Sequence, residues 1–388
     1  MRILGKGKTA LAIKEIFNDI KLYDDNDISV YDPTSHEETI VSPGIPPQNK
    51  LVKNTKNPIS DYDFFLTKNH FTIWISGTNG KTTTTSMLYH ILKEQGFFCG
   101  GNIGIPLATI KDNPKLILET SSFTLHYTKK AKPNIYILLP ITNDHISWHG
   151  SFKEYEDTKL KPLFMMNKND IAIVPFKYKD IKTNTHIIYY QDSHDLSNIF
   201  NIDIHKLNFK EPFLLDAVLS LCVMNLLYDK VDYKKINNFI QDPHKLEIFY
   251  KNKNETWVDD SKATNIDATM QALKSYKGEY INIILGGDDK GVDLTPLFQE
   301  LSKYNITIFA IGSNTKKLYT NSKKYNLKCF QSYTLDKAVK DIKNYNISND
   351  KKSINILSPA AASLDQFKSY KHRGEEFKKY VLTDKEEL

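Results

Sequence analysis

Short apolar runs alternate along this chain with stretches in which apolar residues recur every three or four positions. The runs predict strands, and the recurring spacing predicts amphipathic or buried helices. Predicted strands cover residues 71–75, 116–118, 135–139 and 171–174, and later residues 257–258, 281–285, 306–311 and 354–357. Predicted helices cover residues 83–95 and 214–227, the first of them ending at Gly96. Because strands alternate with helices, we predict an α/β fold with mostly parallel, doubly wound sheets.

The beginning of the chain has the same alternation in shorter pieces. Its predicted elements are strands at residues 2–4, 28–31 and 39–41, a glycine turn at residues 5–9, and a helix at residues 10–17. The sequence SPGIPP at residues 42–47 is a break. We therefore predict a small Rossmann-like unit at the N-terminus.

The length of 388 residues exceeds what one ordinary core can organise. We predict three domains, at residues 1–69, 70–242 and 243–388: a Rossmann-like N-terminal domain, a central P-loop ATPase domain with a mostly parallel sheet, and a Rossmann-like C-terminal domain. A composition of 40% hydrophobic and 25% charged residues is that of a globular protein.

Charge and cysteine content exclude several other classes. The net charge of +6 is spread over a lysine-rich sequence with no basic helix, which does not favour nucleic-acid binding. Cys99, Cys222 and Cys329 lie far apart and predict no disulfide framework, as expected in a reducing cytoplasm. No apolar run reaches membrane-spanning length, and the N-terminus lacks the apolar core of a signal peptide. We expect a cytoplasmic protein without membrane insertion.

The sequence GTNGKT at residues 77–82 lies between a predicted strand and a predicted helix. Glycines in this position let backbone N–H groups approach phosphate oxygens at a helix N-terminus. Lys81 would supply a charge for the terminal phosphates, and the hydroxyl of Thr82 could hold Mg²⁺. The alternative is a glycine turn beside a surface lysine, which the preceding strand and the following threonine run disfavour. We predict a nucleoside triphosphate site here.

Two further residues follow neighbouring predicted strands. Glu119 comes directly after residues 116–118, and His145 follows residues 135–139 after a short loop. In parallel sheets the carboxyl ends of the strands meet at one edge, where ligands bind. Either residue alone is more often structural, but together they predict a Mg²⁺ site beside the phosphate loop, although histidine is an unusual Mg²⁺ ligand.

The last third of the chain repeats this arrangement. Polar loops follow three predicted strands, and they contain Lys262, Thr264, Lys290 and Ser363. Any one of these could be an ordinary loop residue. Cations and hydroxyls together at one sheet edge predict a site for a small anionic substrate.

The order of these motifs resembles that of the Mur ligases across nearly the whole chain. The matching motifs are GTNGKT at residues 77–82, ETSSF at 119–123, DH at 144–145, HKLE at 244–247, DSKATN at 260–265 and the segment 358–374. The blocks DSKATN and SPAAASLDQF are similar to those of the D-glutamate-adding members. The resemblance implies ATP-dependent ligation of D-glutamate to UDP-N-acetylmuramoyl-L-alanine through an acyl phosphate, in peptidoglycan precursor synthesis. It also implies a monomer that needs Mg²⁺.

The resemblance assigns roles to individual positions. Catalytic roles fall to Lys81, Lys159 and His145, and Lys159 matches the lysine that is carbamylated in the family. Metal ligands are Thr82, Glu119, His145 and carbamylated Lys159. ATP contacts are Gly77, Thr78, Asn79, Gly80, Lys81, Thr82, Thr83, Lys245, Asp260 and Lys262. Substrate contacts are Lys8 and Thr9 for the uridine diphosphate, Asn102 near the alanyl end, and Thr264, Lys290, Ser363, Leu364 and Tyr370 for D-glutamate.

The chain also differs from the family pattern. The family's His-Arg pair is His244-Lys245 here, so the planar guanidinium fork is absent. In the stretch that corresponds to the family's adenine contacts, residues 211–217, Asp216 is the residue that could replace one asparagine. The arginine that the family pattern would place soon after residues 28–31, for the uracil end, is absent. Because residues 1–70 lack clear uridine contacts, a nucleotide-gated binding protein that retains the fold stays open as an alternative. A kinase is a further alternative, which is disfavoured because no motif resembles a catalytic-loop base.

Overall fold

The computed structural model describes residues 1–17, 19–349 and 352–383. The chain forms two compact units, of which the first contains residues 1–209 and 213–239 and the second contains residues 210–212 and 240–388. Three sheets are present, two in the first unit and one in the second. The α/β class with mostly parallel sheets is confirmed, whereas the predicted domain bounds stay predictions, and the last of them, residue 388, lies outside the described residues.

The N-terminal sheet is small and parallel, with strand order β2-β1-β3-β4. Its strands are β1 (Arg2–Leu4), β2 (Lys21–Tyr23), β3 (Thr39–Val41) and β4 (Pro58–Ile59). Its helices are α1 (Lys8–Ile16), α2 (Lys50–Lys53) and α3 (Asp61–Phe65). Helix α1 buries Ala10, Ala12 and Ile13, and it begins two residues before the helix predicted at residues 10–17.

The predicted strand at residues 28–31 is wrong. These residues form a turn, and the second strand of the sheet is β2, Lys21–Tyr23. Ile28 and Val30 are 40% and 70% exposed, so both side chains face solvent, whereas Tyr31 at the end of the run is buried. Asp24 caps a short 3₁₀ turn by accepting a hydrogen bond from the backbone N–H of Asn26, which ends the strand before the apolar run begins.

The central sheet is parallel with strand order β10-β9-β8-β5-β7-β6. Its strands are β5 (Phe71–Ser76), β6 (Phe98–Gly101), β7 (Lys115–Glu119), β8 (Ile135–Leu138), β9 (Ile171–Pro175) and β10 (His186–Tyr190). The helices are α4 (Lys81–Leu92), α5 (Leu107–Ile110), α6 (Ser122–Tyr127), α7 (Ile146–His149), α8 (Phe152–Met165), α9 (Ser193–Ile199), α10 (Phe213–Tyr228) and α11 (Tyr233–Asn237). Strands β6 and β10, at the two edges of the sheet, were not predicted. The sequence FCGG of β6 carries a weak apolar pattern, whereas the apolar run HIIYY of β10 was overlooked.

The sheet of the second unit has strand order β11-β12-β16-β13-β14-β15, and β11 alone of its strands pairs antiparallel. The strands are β11 (Glu247–Lys251), β12 (Glu255–Asp259), β13 (Tyr280–Gly286), β14 (Asn305–Ile311), β15 (Lys328–Tyr333) and β16 (Ser353–Leu357). The helices are α12 (Ile266–Lys274), α13 (Thr295–Leu301), α14 (Thr315–Lys324), α15 (Leu335–Asn349) and α16 (Tyr370–Thr383).

Apolar cores lie on both faces of the large sheets, as expected for doubly wound sheets. In the first unit one core joins the N-terminal sheet to one face of the central sheet, through residues such as Ile13, Tyr62 and Trp74. Helix α10 is strongly apolar and has no polar side, and ten of its sixteen residues are buried in the core. No helix within the described residues is both long and apolar enough to span a bilayer.

Candidate functional site

The phosphate loop lies at the carboxyl end of β5, between β7 and β8. This strand order places the loops after β7 and β8 on either side of it. Gly77 and Gly80 have φ values of +138° and +86°, which residues other than glycine rarely adopt. A Cβ atom at Gly77 would lie 2.5 Å from the Cβ of Leu139. The backbone of the loop therefore needs both glycines.

The predicted phosphate-contacting residues lie at the start of α4. Lys81 is its first residue, and its Nζ donates to the backbone oxygens of Gly77 at 2.9 Å and Thr78 at 2.6 Å. Burial lowers the pKa of Lys81, while the charges of Glu119 and Asp144 oppose that shift. The remaining predicted contacts are Asn79 in the loop and Thr82 and Thr83 in the first turn of α4.

Glu119, the last residue of β7, is 2% exposed. Its Oε1 accepts a hydrogen bond of 2.6 Å from Nδ2 of Asn102. Its Oε2 is buried and has no hydrogen-bond partner among the described residues. A buried carboxylate oxygen is costly without a partner, so this atom fits the place of a metal ligand. The structure thus brings together Asn102 and Glu119, which the sequence assigned to different ligands.

His145 begins helix α7 from a left-handed conformation with φ +52°. Its Nε2 lies 3.6 Å from Oδ2 of Asp144, and its ring packs on Phe123 with centroids 4.8 Å apart. The side chain is 46% exposed, so the ring can reach a ligand. Phe123 belongs to α6, which follows Glu119, so the two loops that flank the phosphate loop are in contact.

Lys159 lies on α8 and is 1% exposed. Its Nζ donates to the backbone oxygen of Gly77 at 2.7 Å and lies 3.4 Å from Oγ of Ser76. Burial lowers its pKa well below the ordinary lysine value, and the nearby charge of Lys81 lowers it further. From its sequence position Lys159 would be one surface lysine among many. The structure places its amine directly beneath the phosphate loop.

Two supporting contacts were missed at the sequence level. The hydroxyl of Thr78 lies 3.0 Å from that of Tyr155 and donates to the backbone oxygen of Thr142. Thr84 donates a hydrogen bond of 2.6 Å to Oδ1 of Asp216, which joins α4 to α10. An aspartate inside a strongly apolar helix was the available sequence signal for Asp216.

The second unit has its own cluster of strand-end loops. Strand β16 lies between β12 and β13, so the loops that follow these three strands are neighbours. The backbone N–H of Ala360 donates to the oxygen of Ala263, and Asp288 and Ala362 exchange two backbone hydrogen bonds. These bonds tie together the loops that contain Thr264, Lys290 and Ser363.

The predicted amino-acid contacts differ in exposure at this edge. Thr264 and Lys290 are exposed, and Lys290 has a left-handed backbone with φ +52°. Ser363 is 4% exposed, whereas Leu364 next to it is 72% exposed. Tyr370, at the start of α16, has its ring 5.8 Å from Nζ of Lys262.

Asp260 lies in the interior of this unit. Its Oδ2 accepts a hydrogen bond of 2.6 Å from Ser358, and its Oδ1 accepts one of 3.2 Å from the backbone of Leu246. Burial raises the pKa of Asp260 to about 7. Its contacts brace the turn that contains Lys245, where Nζ of Lys245 lies 3.3 Å from Asp242.

The predicted uridine contacts, Lys8 and Thr9, form the first turn of α1. An open groove of about 740 Å³ lies beside the same helix, which contributes Leu11 and Lys14 to its lining. It is lined by Lys6, Leu11, Lys14, Ile20, Lys21, Leu22, Tyr23, Asp27 and Val30. Lys6 at its edge pairs with Asp24 at 2.7 Å and Asp27 at 3.1 Å. Lys8 and Thr9 are thus beside the groove without lining it.

Sequence comparisons give a consistent result. The family model of the Mur ligase middle domain matches residues 75–211. The chain is 46% identical to the UDP-N-acetylmuramoylalanine–D-glutamate ligase of Campylobacter jejuni strain 81-176, over 98% of each chain. It is 42% identical to the enzyme of the same name from Helicobacter pylori strain J99, over 98% of this chain and 99% of the relative.

Solved structures share the fold at much lower identity. The MurF ligase of Thermotoga maritima, crystallised with ADP, aligns with a TM-score of 0.61 at 15% identity, over 99% of this chain and 94% of that one. The folylpolyglutamate synthase of Mycobacterium tuberculosis aligns with a TM-score of 0.58 at 11% identity, over 80% and 91% of the two chains. These likenesses agree with the predicted α/β fold.

Proposed function

This chain belongs to the UDP-N-acetylmuramoylalanine–D-glutamate ligases of the Mur ligase family, and we propose from this premise that it joins D-glutamate to UDP-N-acetylmuramoyl-L-alanine. ATP is cleaved to ADP and phosphate in the reaction. The product is a peptidoglycan precursor. That the enzyme acts as a monomer stays a prediction.

The reaction has two chemical steps. A carboxylate oxygen of the L-alanyl group attacks the γ-phosphorus of ATP, and ADP leaves. The amine of D-glutamate then attacks the carbonyl carbon, and the tetrahedral intermediate expels phosphate and loses a proton to form the amide. Phosphorylation is needed because a carboxylate oxygen is a poor leaving group whereas phosphate is a good one.

The residues of the phosphate loop stabilise the first step. Backbone N–H groups of residues 77–80 and the helix N-terminus hold the phosphates, and the ammonium of Lys81 stabilises charge on the transferring group. In the structure Nζ of Lys81 bonds to loop carbonyls, so it exchanges those partners for phosphate oxygens when ATP binds.

Mg²⁺ fits the residues beside this loop. Thr82, Glu119, His145 and carbamylated Lys159 would hold it, and the unpartnered Oε2 of Glu119 supports that assignment. When bound, Mg²⁺ neutralises phosphate charge. The low pKa of Lys159 supports carbamylation, because only a neutral amine reacts with carbon dioxide. The carbamate would replace a buried cation, which repels Mg²⁺, with an anion that has two oxygen ligands.

In the second unit, Lys290, Thr264 and Ser363 supply a cation and two hydroxyls for the carboxylates of D-glutamate. The backbone bonds between their three loops support a common site. Leu364 and Tyr370 would contact the rest of the amino acid, and Lys245, Asp260 and Lys262 form the ATP side of this unit. Lys8 and Thr9 are proposed for the uridine diphosphate, and Asn102 for the alanyl end.

One observation carries the proposed chemistry: a phosphate loop lies between a buried carboxylate oxygen without a partner and a buried lysine of strongly lowered pKa. A glycine turn of purely structural role requires neither group. The arrangement favours phosphoryl transfer with a bound divalent cation.

A phosphate-release assay tests the proposal. Release is expected when ATP, UDP-N-acetylmuramoyl-L-alanine and D-glutamate are all present, and not when D-glutamate is replaced by L-glutamate, L-lysine or meso-diaminopimelate. Turnover with one of those amino acids instead would assign the chain to another ligase activity. Tight binding of the UDP-sugar without product by mass spectrometry would support the binding-protein alternative.

Lys81→Ala should abolish phosphate release, since it removes charge stabilisation of the transferred group.

A further inference from the structure

The turn at residues 244–246 has an unusual backbone. His244 and Leu246 both have positive φ values, +65° and +46°, and neither is a glycine. Such conformations are disfavoured for residues with a Cβ atom, and they persist when the surrounding structure holds them. Lys245, a proposed ATP contact, is the residue between them. The backbone at this lysine is therefore held by other parts of the unit.

The strongest of these contacts is a buried hydrogen bond from His244 to Asp259. Nδ1 of His244 and Oδ2 of Asp259 are 2.6 Å apart, and the two residues are 4% and 0% exposed. Because a carboxylate only accepts hydrogen bonds, Nδ1 carries the donated proton. The other carboxylate oxygen accepts from the backbone N–H of Ser261, so Asp259 joins the turn to the loop after β12.

Other bonds fix the backbone on both sides of Lys245. The backbone N–H of His244 donates to Oε2 of Glu247 at 2.9 Å. The backbone oxygen of His244 accepts a hydrogen bond of 3.1 Å from the N–H of Lys262. The N–H of Leu246 donates to Asp260. The peptide groups next to Lys245 are thus anchored independently of its own side chain.

His244, Glu247 and Asp259 could by composition hold a metal ion, since their ligand atoms lie within 4.8 Å of one another. A lysine already supplies the positive charge. Nζ of Lys378 lies 2.6 Å from Oε1 of Glu247 and 3.7 Å from Oδ2 of Asp259. A metal there would face the repulsion of that ammonium, so the cluster favours a structural role over a metal site.

Helix α16 leaves no space for this pair to move. A Cβ atom at Gly374 would lie 2.2 Å from Nδ1 of His244 and 2.7 Å from Oδ2 of Asp259. The backbone of the helix at Gly374 therefore packs closely against both atoms of the hydrogen bond.

We propose that the His244–Asp259 pair is a positioning device for Lys245, and that it thereby sets the affinity for ATP. The inference rests on the proposed function in that Lys245 contacts ATP phosphates. A lysine ammonium is a point charge on a flexible stem and cannot orient itself on phosphate as a guanidinium fork does. Its placement depends on the backbone from which the side chain extends, and the buried pair fixes that backbone.

A double-mutant cycle between the pair and the lysine tests this role. Asp259→Asn keeps the shape of the side chain and removes its charge, and His244→Asn removes the imidazole. In each variant we expect the KM for ATP to rise roughly tenfold, with a smaller change in the KM for D-glutamate. In a Lys245→Ala background the same substitutions should change the KM for ATP by less than about twofold, because the positioned group is gone.

Asn282→Ala is the matched control. Asn282 is fully buried inside β13, donates to Asn346 and Asn355, and does not belong to the strand-end loops described here. It should lower thermal stability without changing the KM for ATP. If it raises that KM as much as Asp259→Asn does, general destabilisation explains the effect and the inference is overturned.

The outcomes separate this inference from the proposed function. Unchanged KM for ATP in Asp259→Asn, or equal effects with and without Lys245, would reject the positioning role alone. An unchanged KM for ATP in Lys245→Ala would reject the assigned ATP contact and the inference with it. Neither result affects D-glutamate-dependent phosphate release, which tests the ligase function separately. If His244→Asn does not fold, the isosteric Asp259→Asn decides.

Discussion

Burial changes the chemistry of several single side chains in this protein. Lys159 and Lys81 are ordinary lysines in the sequence, but desolvation lowers the pKa of both. Glu119 loses its contact with water and retains one oxygen without a partner among the described residues. At the residue scale, burial therefore gives the proposed site two lysines of lowered pKa and one carboxylate oxygen that lacks a hydrogen-bond partner among the described residues.

Lys159→Ala tests the proposed carbamate. We expect turnover to fall by roughly 100-fold, because a ligand group beside the phosphates is lost. Added formate or acetate should restore part of the activity by occupying the space with a carboxylate. Lys153→Ala, on the exposed side of the same helix, should remain active in the phosphate-release assay. Full activity of Lys159→Ala would contradict the assigned role.

Asp61 is a second case in which burial alters a residue. It is 5% exposed, its Oδ1 has no partner within the described ranges, and burial raises its pKa from 3.8 to about 7. The folded protein therefore binds this proton more tightly than the unfolded chain does. The contribution of Asp61 to stability is therefore fully present below about pH 4 and is lost as the pH rises towards 7.

Asp61→Asn should accordingly remove the free-energy cost of burying an ionised carboxylate, which the folded protein bears at high pH. Relative to the unmodified protein, its free energy of unfolding should increase between pH 5 and pH 8 by roughly 2–3 kcal/mol. Urea denaturation at several pH values measures the difference. Asp112→Asn, at an exposed aspartate, should show no such trend. A pH-independent difference for Asp61→Asn would show that the carboxyl is ionised throughout.

At the scale of elements, the phosphate loop depends on the fit between a strand, a turn and a helix. The apolar run and the glycines predicted this unit correctly, and helix α4 begins at Lys81. The pattern did not show that α4 is braced from α10 by the bond between Thr84 and Asp216. Sequence periodicity reports which face of a helix is buried but not which distant helix covers it.

Gly80→Ala tests whether the phosphate loop depends on close packing between β5 and α4. Alanine would adopt φ +86° at a cost of about 1–2 kcal/mol, and its Cβ would lie 2.9 Å from Oδ1 of Asp216. We expect lower thermal stability and a KM for ATP raised at least roughly tenfold, because the loop must shift. Gly96→Ala is the matched control, with φ +81° and no atom within 4 Å of the new Cβ. It should lose similar stability and keep its KM for ATP; equal KM effects would count against the loop fit.

At the scale of the whole molecule, strand order decides which loops meet. Arg373 illustrates this in the second unit, where its guanidinium donates to Ser261 at 3.0 Å and 2.9 Å and to Ala361 at 3.1 Å. It therefore connects the loops after β12 and β16, although more than a hundred residues separate Ser261 from Arg373 in sequence. Burial lowers its pKa to about 10, so it remains charged at neutral pH.

Arg373→Met should loosen these loops. We expect a loss of about 1–3 kcal/mol in unfolding free energy, since the oxygens of Ser261 and Ala361 lose their donor. The KM for D-glutamate should rise more than that for the UDP-sugar, whose proposed contacts lie in the first unit. Steady-state kinetics with each substrate varied in turn measures both constants, and Asn282→Ala again controls for destabilisation. Equal increases in both constants would contradict a local role for Arg373.

The sequence by itself determined the α/β class, most of the internal strands, the phosphate loop and the strand-end motifs. These features are encoded locally, in apolar period, glycine placement and the residues that follow each strand. Local signals also produced the one wrong strand, at residues 28–31, because an apolar run does not reveal whether its side chains face a core or solvent.

Only the tertiary structure decided the strand order, the burial of Lys159 beneath the phosphate loop, the open oxygen of Glu119 and the hydrogen bond between His244 and Asp259. Each depends on contacts between residues far apart in the chain. Desolvation and hydrogen-bond geometry arise from those contacts, so no local pattern could have contained them.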